Sequence, residues 1–347
     1  NPDWMNHAGE NYISNGPFKL ASWKHNNEIV VEKNSFYWEK DLIPLEKIHV
    51  SMVKDENTVL KMYENGELDI LGTALSPIPN DVLLKYHQQG LLKSYSSAAT
   101  TAISFNVTQY PFTSKYMRKA FSYAIDRQDI VDNITQLGEE VATQIIPTCL
   151  KHKAAPSYFK DHNIKKAQRN FSKGLKELGI TAEEFPILTY DYSYSDLNHK
   201  LAQILQQQWA QNLGVKIELQ HCEHKVFLDK LVKRDYTFAQ SFWFSQYHDP
   251  MSILERYKYQ TNPKNFSNWE NPDYIGLLEK TAFDPTVEER SKTLEAAEAI
   301  LMQEMPLTPL YHWKTAFMVK DHVTYEAFPP EHGFLEFIRM GIKNPSS

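Results

Sequence analysis

The chain has 347 residues, 42% hydrophobic and 23% charged, with 37 Lys plus Arg against 43 Asp plus Glu for a net charge of −6. At ~150 residues per domain this length suits about two or three domains, and the composition supports packed cores and excludes a disordered chain. The charges are interspersed without a long basic block, which excludes the electrostatic footprint of a nucleic-acid binder, and no apolar run reaches the ~18 residues of a membrane span.

Residues 17–24 and 28–34 predict a hairpin around His25-Asn26-Asn27, with Phe18 and Leu20 facing Ile29 and Val31. A strand from Ile48 to Val53 follows, then a helix from Asn57 to Glu64 that stops at Asn65-Gly66, then a short strand from Glu67 to Leu71. Ile103 to Val107 reads as a strand. After Pro111-Phe112, the residues Met117, Ala120, Phe121, Ala124 and Ile125 share one helical face. Asp126 sits at the N-cap of a second helix that buries Ile130, Val131 and Ile134. Residues 146–163, with Pro147 and Pro156, read as an irregular crossing.

Further on, 164–179 and 198–213 are helices, the second with Leu201, Ile204, Leu205, Trp209 and Leu213 at helical spacing before Gly214. Ile187–Tyr190, Val215–Leu219 and Phe238–Phe244 are strands, and Val226–Lys233 is a short helix. This rhythm predicts an α/β fold with its units packed on a mostly parallel sheet. Arg290–Glu304 is a helix closed by Pro306, and Ala316–Val319 is strand-like. The 7 Trp, 19 Tyr and 18 Phe suit both large cores and clefts for organic ligands. The two cysteines, Cys149 and Cys222, fit one disulfide or two thiols.

Four blocks stop looking generic. Asn-Gly-Pro-Phe-Lys-Leu-Ala-Ser-Trp at 15–23 opens a hairpin that ends in Lys33-Asn34-Ser35-Phe36-Tyr37-Trp38. Glu-Asn-Gly-Glu-Leu-Asp-Ile occupies 64–70. Residues 105–127 run from Phe105-Asn106 through Pro111-Phe112 and Arg118-Lys119-Ala120 to Ala124-Ile125-Asp126-Arg127. Residues 203–250 join a Gln-rich helix, Gly214-Val215-Lys216-Ile217, and Phe242-Trp243-Phe244-Ser245-Gln246-Tyr247-His248-Asp249-Pro250. In this order they resemble the bacterial extracellular solute-binding proteins, family 5, which serve oligopeptide, dipeptide and nickel importers. The resemblance covers nearly the whole chain.

That resemblance implies a type II periplasmic-binding-protein-like fold: two lobes with mixed sheets flanked by helices, closing on ligand about a hinge of two crossing strands. Residues 1–105 plus 316–347 are expected to form a first-lobe remnant, without the family's N-terminal third, and 106–315 the second lobe. The expected function is the substrate-binding component of an ABC importer, capturing oligopeptides for a membrane permease with its ATPases. The implied protein is a monomer, exported to the periplasm although no signal stands in this chain, with no cofactor. The missing segment could have been cleaved, left out, or be carried by a separate chain.

Peptide binders of this family lay the ligand backbone along protein strands, and Trp243, Phe244 and Ser245 match the strand that does so. A carboxylate shortly afterwards holds the ligand ammonium in relatives; Gln246 stands there instead and cannot neutralise a cation. Asp249 is a candidate substitute, and Tyr247 lies between them. Gln240 stands where some relatives place a basic residue for the ligand carboxylate, His224 where a pocket-lining Trp occurs, and Asn198 where a His assists. Thr73 and Leu75, after the Glu-Leu-Asp-Ile strand, complete the candidate set. The less charged pocket points to a shifted ligand class, such as modified or cell-wall-derived peptides. Trp243 also has a core reading, and Arg118, Asp126 and Arg127 read as structural ion pairs and caps.

Two other functions stay open. One is a metal or other non-peptide ligand, resting on His221-Cys222-Glu223-His224, although strand alternation points His221 and His224 to opposite faces. The other is a chaperone-like interaction module. Catalysis lacks support, because the sequence has no Gly-x-Ser-x-Gly, no His-Glu-x-x-His and no Gly-rich phosphate loop.

Overall fold

The computed structural model describes residues 12–72, 78–151, 156–326 and 337–343. In chain order they form β1 (Phe18–Lys24), β2 (Glu28–Lys33), β3 (Lys47–Ser51), α1 (Glu56–Glu64), β4 (Ile70–Gly72), α2 (Asn80–Gln88), β5 (Lys93–Phe105), α3 (Lys115–Tyr123), α4 (Arg127–Ile130), β6 (Glu140–Val141) and α5 (Ile164–Leu178). Then come β7 (Leu188–Ser193), α6 (Asp196–Leu213), β8 (Ile217–Cys222), α7 (His224–Lys233), β9 (Phe238–Phe244), α8 (Met251–Leu254), α9 (Pro272–Lys280), α10 (Val287–Glu304), β10 (Leu307–Val319), β11 (Val323–Tyr325) and β12 (Met340–Ile342). The chain divides into two units. One runs up to Tyr95 and resumes at Thr315; the other is Ser96–Lys314. Strands β5 and β10 each contribute residues to both.

In the first unit β1, β2 and β3 form an antiparallel sheet in that order. Asn26 takes the left-handed conformation the hairpin turn requires (φ 58°). A bulge between Leu20 and Ser22 resets the register, so Leu20 pairs with Val31 while Trp23, not Phe18, meets Ile29. Helix α1 starts where the Asp55 carboxylate accepts the Thr58 N–H at 2.7 Å. Strand β4 is shorter than expected. It pairs with Phe317–Val319, and a Cβ on Gly72 (φ +107°) would lie 2.5 Å from the Ala316 carbonyl oxygen, so only glycine permits this approach.

In the second unit the strands lie in the order β10, β5, β9, β7, β8, with β6 also pairing to β10. The sheet is mixed, which corrects the mostly parallel expectation. The β7–β8 and β7–β9 pairs are parallel, and these strands are linked by the crossover helices α6 and α7; β5–β9 and β6–β10 are antiparallel. Phe105, Phe112, Phe121, Tyr190, Trp209 and Phe238 are fully buried beneath α3 and α6. The Trp209 indole N–H donates to the Phe121 carbonyl at 3.0 Å, which satisfies its one polar atom. Ser195 caps α6 by accepting the Asn198 N–H at 3.1 Å, and Gly214 closes it at φ +71°.

The cations flagged in the sequence are held inside this unit. Arg127, fully buried, donates to the Asp161 carboxylate and to the Pro309 carbonyl, both at 2.7 Å. Arg118 donates to the Phe112 and Glu304 carbonyls at 2.6 and 2.8 Å. The crossing from residue 146 is anchored by Glu298 of α10, which is 1% exposed and accepts the Ile145 and Ile146 N–H groups and the Lys151 ammonium. Cys149 and Cys222 form no disulfide. No helix among the described residues is long and apolar enough to cross a membrane.

Candidate functional site

Strand β9 organises the site, because its two edges differ. On one side it pairs with β5 along its whole length, from Phe105–Phe238 to Ala99–Phe244, and Ser245 extends the ladder by donating its N–H to the Ala98 carbonyl at 2.8 Å. On the other side β7 pairs only at Tyr190–Phe238 and Asp191–Ala239 and then parts from it. Alternation from the Ser245–Ala98 bond directs the N–H and C=O of Ser241 and Trp243 to β5, and those of Phe242 and Phe244 to the open side. The Arg256 guanidinium takes the Phe244 carbonyl at 3.0 Å. The Phe242 peptide groups and the Phe244 N–H are left with no pairing strand among the described residues.

The side chains of β9 alternate likewise. Ser241 and Trp243 point into the core. The Trp243 indole is 7% exposed, stacks on Phe266 at 4.8 Å, lies under the Arg256 guanidinium at 4.0 Å and donates to the Tyr257 hydroxyl at 2.7 Å. Its ring is thereby committed to packing, so its side chain belongs to the core reading and not the ligand-contact one. Gln240, Phe242 and Phe244 share the opposite face, from buried Gln240 at one end to Phe242, 37% exposed.

Three residues singled out from sequence come together at the end of β7. The Gln240 amide donates to Asn198 Oδ1 at 2.8 Å, and Asn198 Nδ2 donates to the Ser193 carbonyl at 2.9 Å. The Ser193 hydroxyl lies 3.2 Å from His224 Nδ1. These groups sit at the carboxyl ends of β7 and β8, where α6 and α7 begin, the place where open α/β sheets bind ligands. Among the described residues no three His, Cys, Asp or Glu side chains cluster closely enough to hold a metal ion.

The loop after β9 arranges the rest. The Gln246 side chain is exposed, and its backbone N–H donates to the Ser252 hydroxyl at 2.7 Å. Tyr247 keeps 42% of its surface open and donates to Glu255 at 3.2 Å; partial burial first, and then that carboxylate, push its phenol up to about 12. Asp249 is engaged within the protein. Both its oxygens are held by Arg290, and it accepts the Met251 N–H at 2.8 Å. Thr73 and Leu75 lie outside the described residues. The sequence places Phe242 in the 203–250 block without a ligand role, although alternation with Gln240 and Phe244 puts it on their face, and no local pattern points to Ser193.

Comparison with known proteins gives a consistent result. The profile described as "Bacterial extracellular solute-binding proteins, family 5 Middle" matches residues 3–265. The oligopeptide-binding protein OppA of Bacillus subtilis is 35% identical over 93% of this chain and 60% of its own length. The dipeptide-binding protein DppE of the same organism is 32% identical over 93% of this chain and 59% of its own. The crystal structure of a periplasmic oligopeptide-binding protein, OppAIV of Borrelia burgdorferi, superposes with a TM-score of 0.82 at 26% identity, covering 98% of this chain and 66% of that one. The chain thus spans about 60% of the length of the curated relatives it matches, and its α/β fold is that of periplasmic oligopeptide-binding proteins over the shared part.

Proposed function

The chain belongs to the bacterial extracellular solute-binding proteins, family 5, and from that premise we propose that it serves as the substrate-binding component of an ABC importer that captures oligopeptides. The observation that carries this reading is the edge of β9 away from β5, which at Phe242–Phe244 meets no pairing strand among the described residues. An extended peptide entering there gains main-chain hydrogen bonds that are independent of its sequence, which suits a receptor for many peptides. Asn198, Gln240, Ser193 and His224 stand at the same end of the sheet as neutral hydrogen-bonding groups. With Gln246 neutral and Asp249 held by Arg290, this set offers no free carboxylate to a ligand ammonium. That favours peptides whose amino end is blocked or modified.

The unit Ser96–Lys314 is read as the second lobe and the remainder as part of the first. The partners implied are a membrane permease with its ATPases, and the address is outside the cytoplasmic membrane.

The test is calorimetric titration of the ligand-stripped protein with one tetrapeptide in free-amine and N-acetylated forms. Binding of either supports the reading, and equal affinities support the relaxed amine requirement. Absence of binding by both overturns peptide capture.

A further inference from the structure

Along β9 the rings of Phe242 and Phe244 stand outside the buried core and meet Trp313, which packs against it. Phe244 meets Trp313 at 4.7 Å between ring centroids and 74° between planes, and Phe242 meets the same indole at 5.6 Å and 38°. The Phe242 and Phe244 rings are 6.0 Å apart. Trp313 is fixed from below, where its N–H donates to the Thr101 hydroxyl at 2.7 Å. Thr101 and Ala99 are the β5 residues directly opposite Phe242 and Phe244, and both are buried under these rings at 1% and 0% exposure. The shelf is therefore preordered by a hydrogen bond and three ring contacts, yet Phe242 keeps 37% of its surface open. A core aromatic does not look like this. On the same face one strand end away, Phe238 is fully buried against Phe112, Phe121, Tyr190 and Trp209.

Building on the peptide reading above, we propose that Phe242, Phe244 and Trp313 select ligands carrying an aromatic side chain at one position. The backbone geometry fixes which position. A peptide paired to β9 at Phe242 places the residue opposite it with Cβ about 5 Å from that of Phe242 and on the same face. That side chain then meets the Phe242 ring, with Phe244 and Trp313 beside it. Because the one polar atom of the shelf, the Trp313 N–H, is already satisfied by Thr101, only ring faces and edges remain to be covered. An aromatic ring matches them in offset or edge-on contact. A lysine or glutamate side chain there loses hydration without gaining a partner.

The experiment is a phenylalanine scan. The protein is titrated with N-acetylated tetra-alanine and with the four peptides that carry one Phe in that background. One position is expected to bind at least tenfold more tightly than the all-alanine peptide, and the same position bearing Lys at least as weakly as alanine. In Phe242→Ala and in Trp313→Leu the ratio between the Phe peptide and the alanine peptide falls at least fivefold; Phe242 is partly exposed, so its truncation tests the shelf even if loss of Trp313 disturbs folding. A flat scan with peptides still binding overturns the shelf and leaves peptide capture standing. A preference that survives both substitutions also overturns it. Failure of every peptide to bind removes the peptide reading, and the shelf proposal with it.

Discussion

Arg290 grips Asp249 in a two-point fork, Nη1 to Oδ2 at 2.6 Å and Nη2 to Oδ1 at 3.0 Å. The bond raises the guanidinium pKa, as expected of a cation stabilised by a carboxylate. It ties α10 to the turn after β9, because Asp249 also accepts the Met251 N–H that opens α8. Both side chains are about a quarter to a third exposed, so solvent screening limits what the pair contributes. Arg290→Ala is expected to cost ~1 kcal/mol of stability in urea denaturation. It should leave the affinity ratio of free-amine to acetylated peptide where it was. A change in that ratio would place the released Asp249 carboxylate within reach of the peptide's amino end.

The Gln240–Asn198 bond lies at 6% exposure on the Gln240 side, at the inner end of the open β9 edge. Gln240→Leu keeps the volume but strips Asn198 Oδ1 of its donor. An acceptor left bare in a half-buried place costs ~1–2 kcal/mol. Asn198 is then free to turn, so peptide affinity is expected to fall together with stability. The double variant with Asn198→Ala should be less destabilised than the sum of the two singles, because each removes the same bond. Additive costs in thermal unfolding would show that the two amides act separately.

His312 predicts an acid limit for the second unit. The Thr100 hydroxyl donates to the Ile145 carbonyl at 2.9 Å, so its oxygen accepts from His312 Nδ1 at 2.8 Å and the ring is a neutral Nδ1–H tautomer. Burial first, and then the nearby Lys151 ammonium, lowers its pKa from 6.5 to about 3. Between these two values the unfolded chain binds a proton that the native ring refuses. Stability from this group is complete above pH 6.5 and is lost as pH falls towards 3, by up to ~5 kcal/mol. Measured across that window, His312→Gln should show a flatter fall of unfolding free energy than the parent. Equal slopes would place the acid limit elsewhere.

How much of this could be read beforehand depended on whether the signal was local. Helix α6 was legible because its stripe from Leu201 to Trp209 and its Gly214 stop are contained in one element. Strand β9 was legible for the same reason. Strand β5 was not: its first residues, Lys-Ser-Tyr-Ser-Ser, are polar or exposed, and the strand is held there by register and not by alternation. Most of β10 is not legible because buried His312 and half-buried Trp313 are polar-capable residues whose partners, Thr100 and Thr101, lie some two hundred positions away. Helix α2 lacks a side-chain cap, and α9 follows an Asn-Pro pair that reads equally well as a turn. In the site, residue identities at Gln240, Asn198 and His224 were suggested by family resemblance. That Ser193 joins them, and that Arg290 holds Asp249, needed the fold.

The sharpest remaining prediction concerns Gln246. Its backbone is positioned by the bond from its N–H to the Ser252 hydroxyl, and its side chain is exposed beside the end of β9. Gln246→Asp therefore places a carboxylate at a defined point without disturbing a buried contact. If the amino end of the peptide lies there, the new charge stabilises a free ammonium and does nothing for an acetyl cap. An exposed ion pair is worth up to ~1 kcal/mol, so the free-amine peptide should gain about fivefold over the acetylated one. The gain should shrink in 1 M salt, where the Debye length is about 3 Å. A gain that resists salt would point to a rearranged loop, since an exposed pair has no means of escaping screening. No gain at all would mean that the amino end lies away from residue 246, and that the neutrality of this position has no bearing on which peptides are accepted.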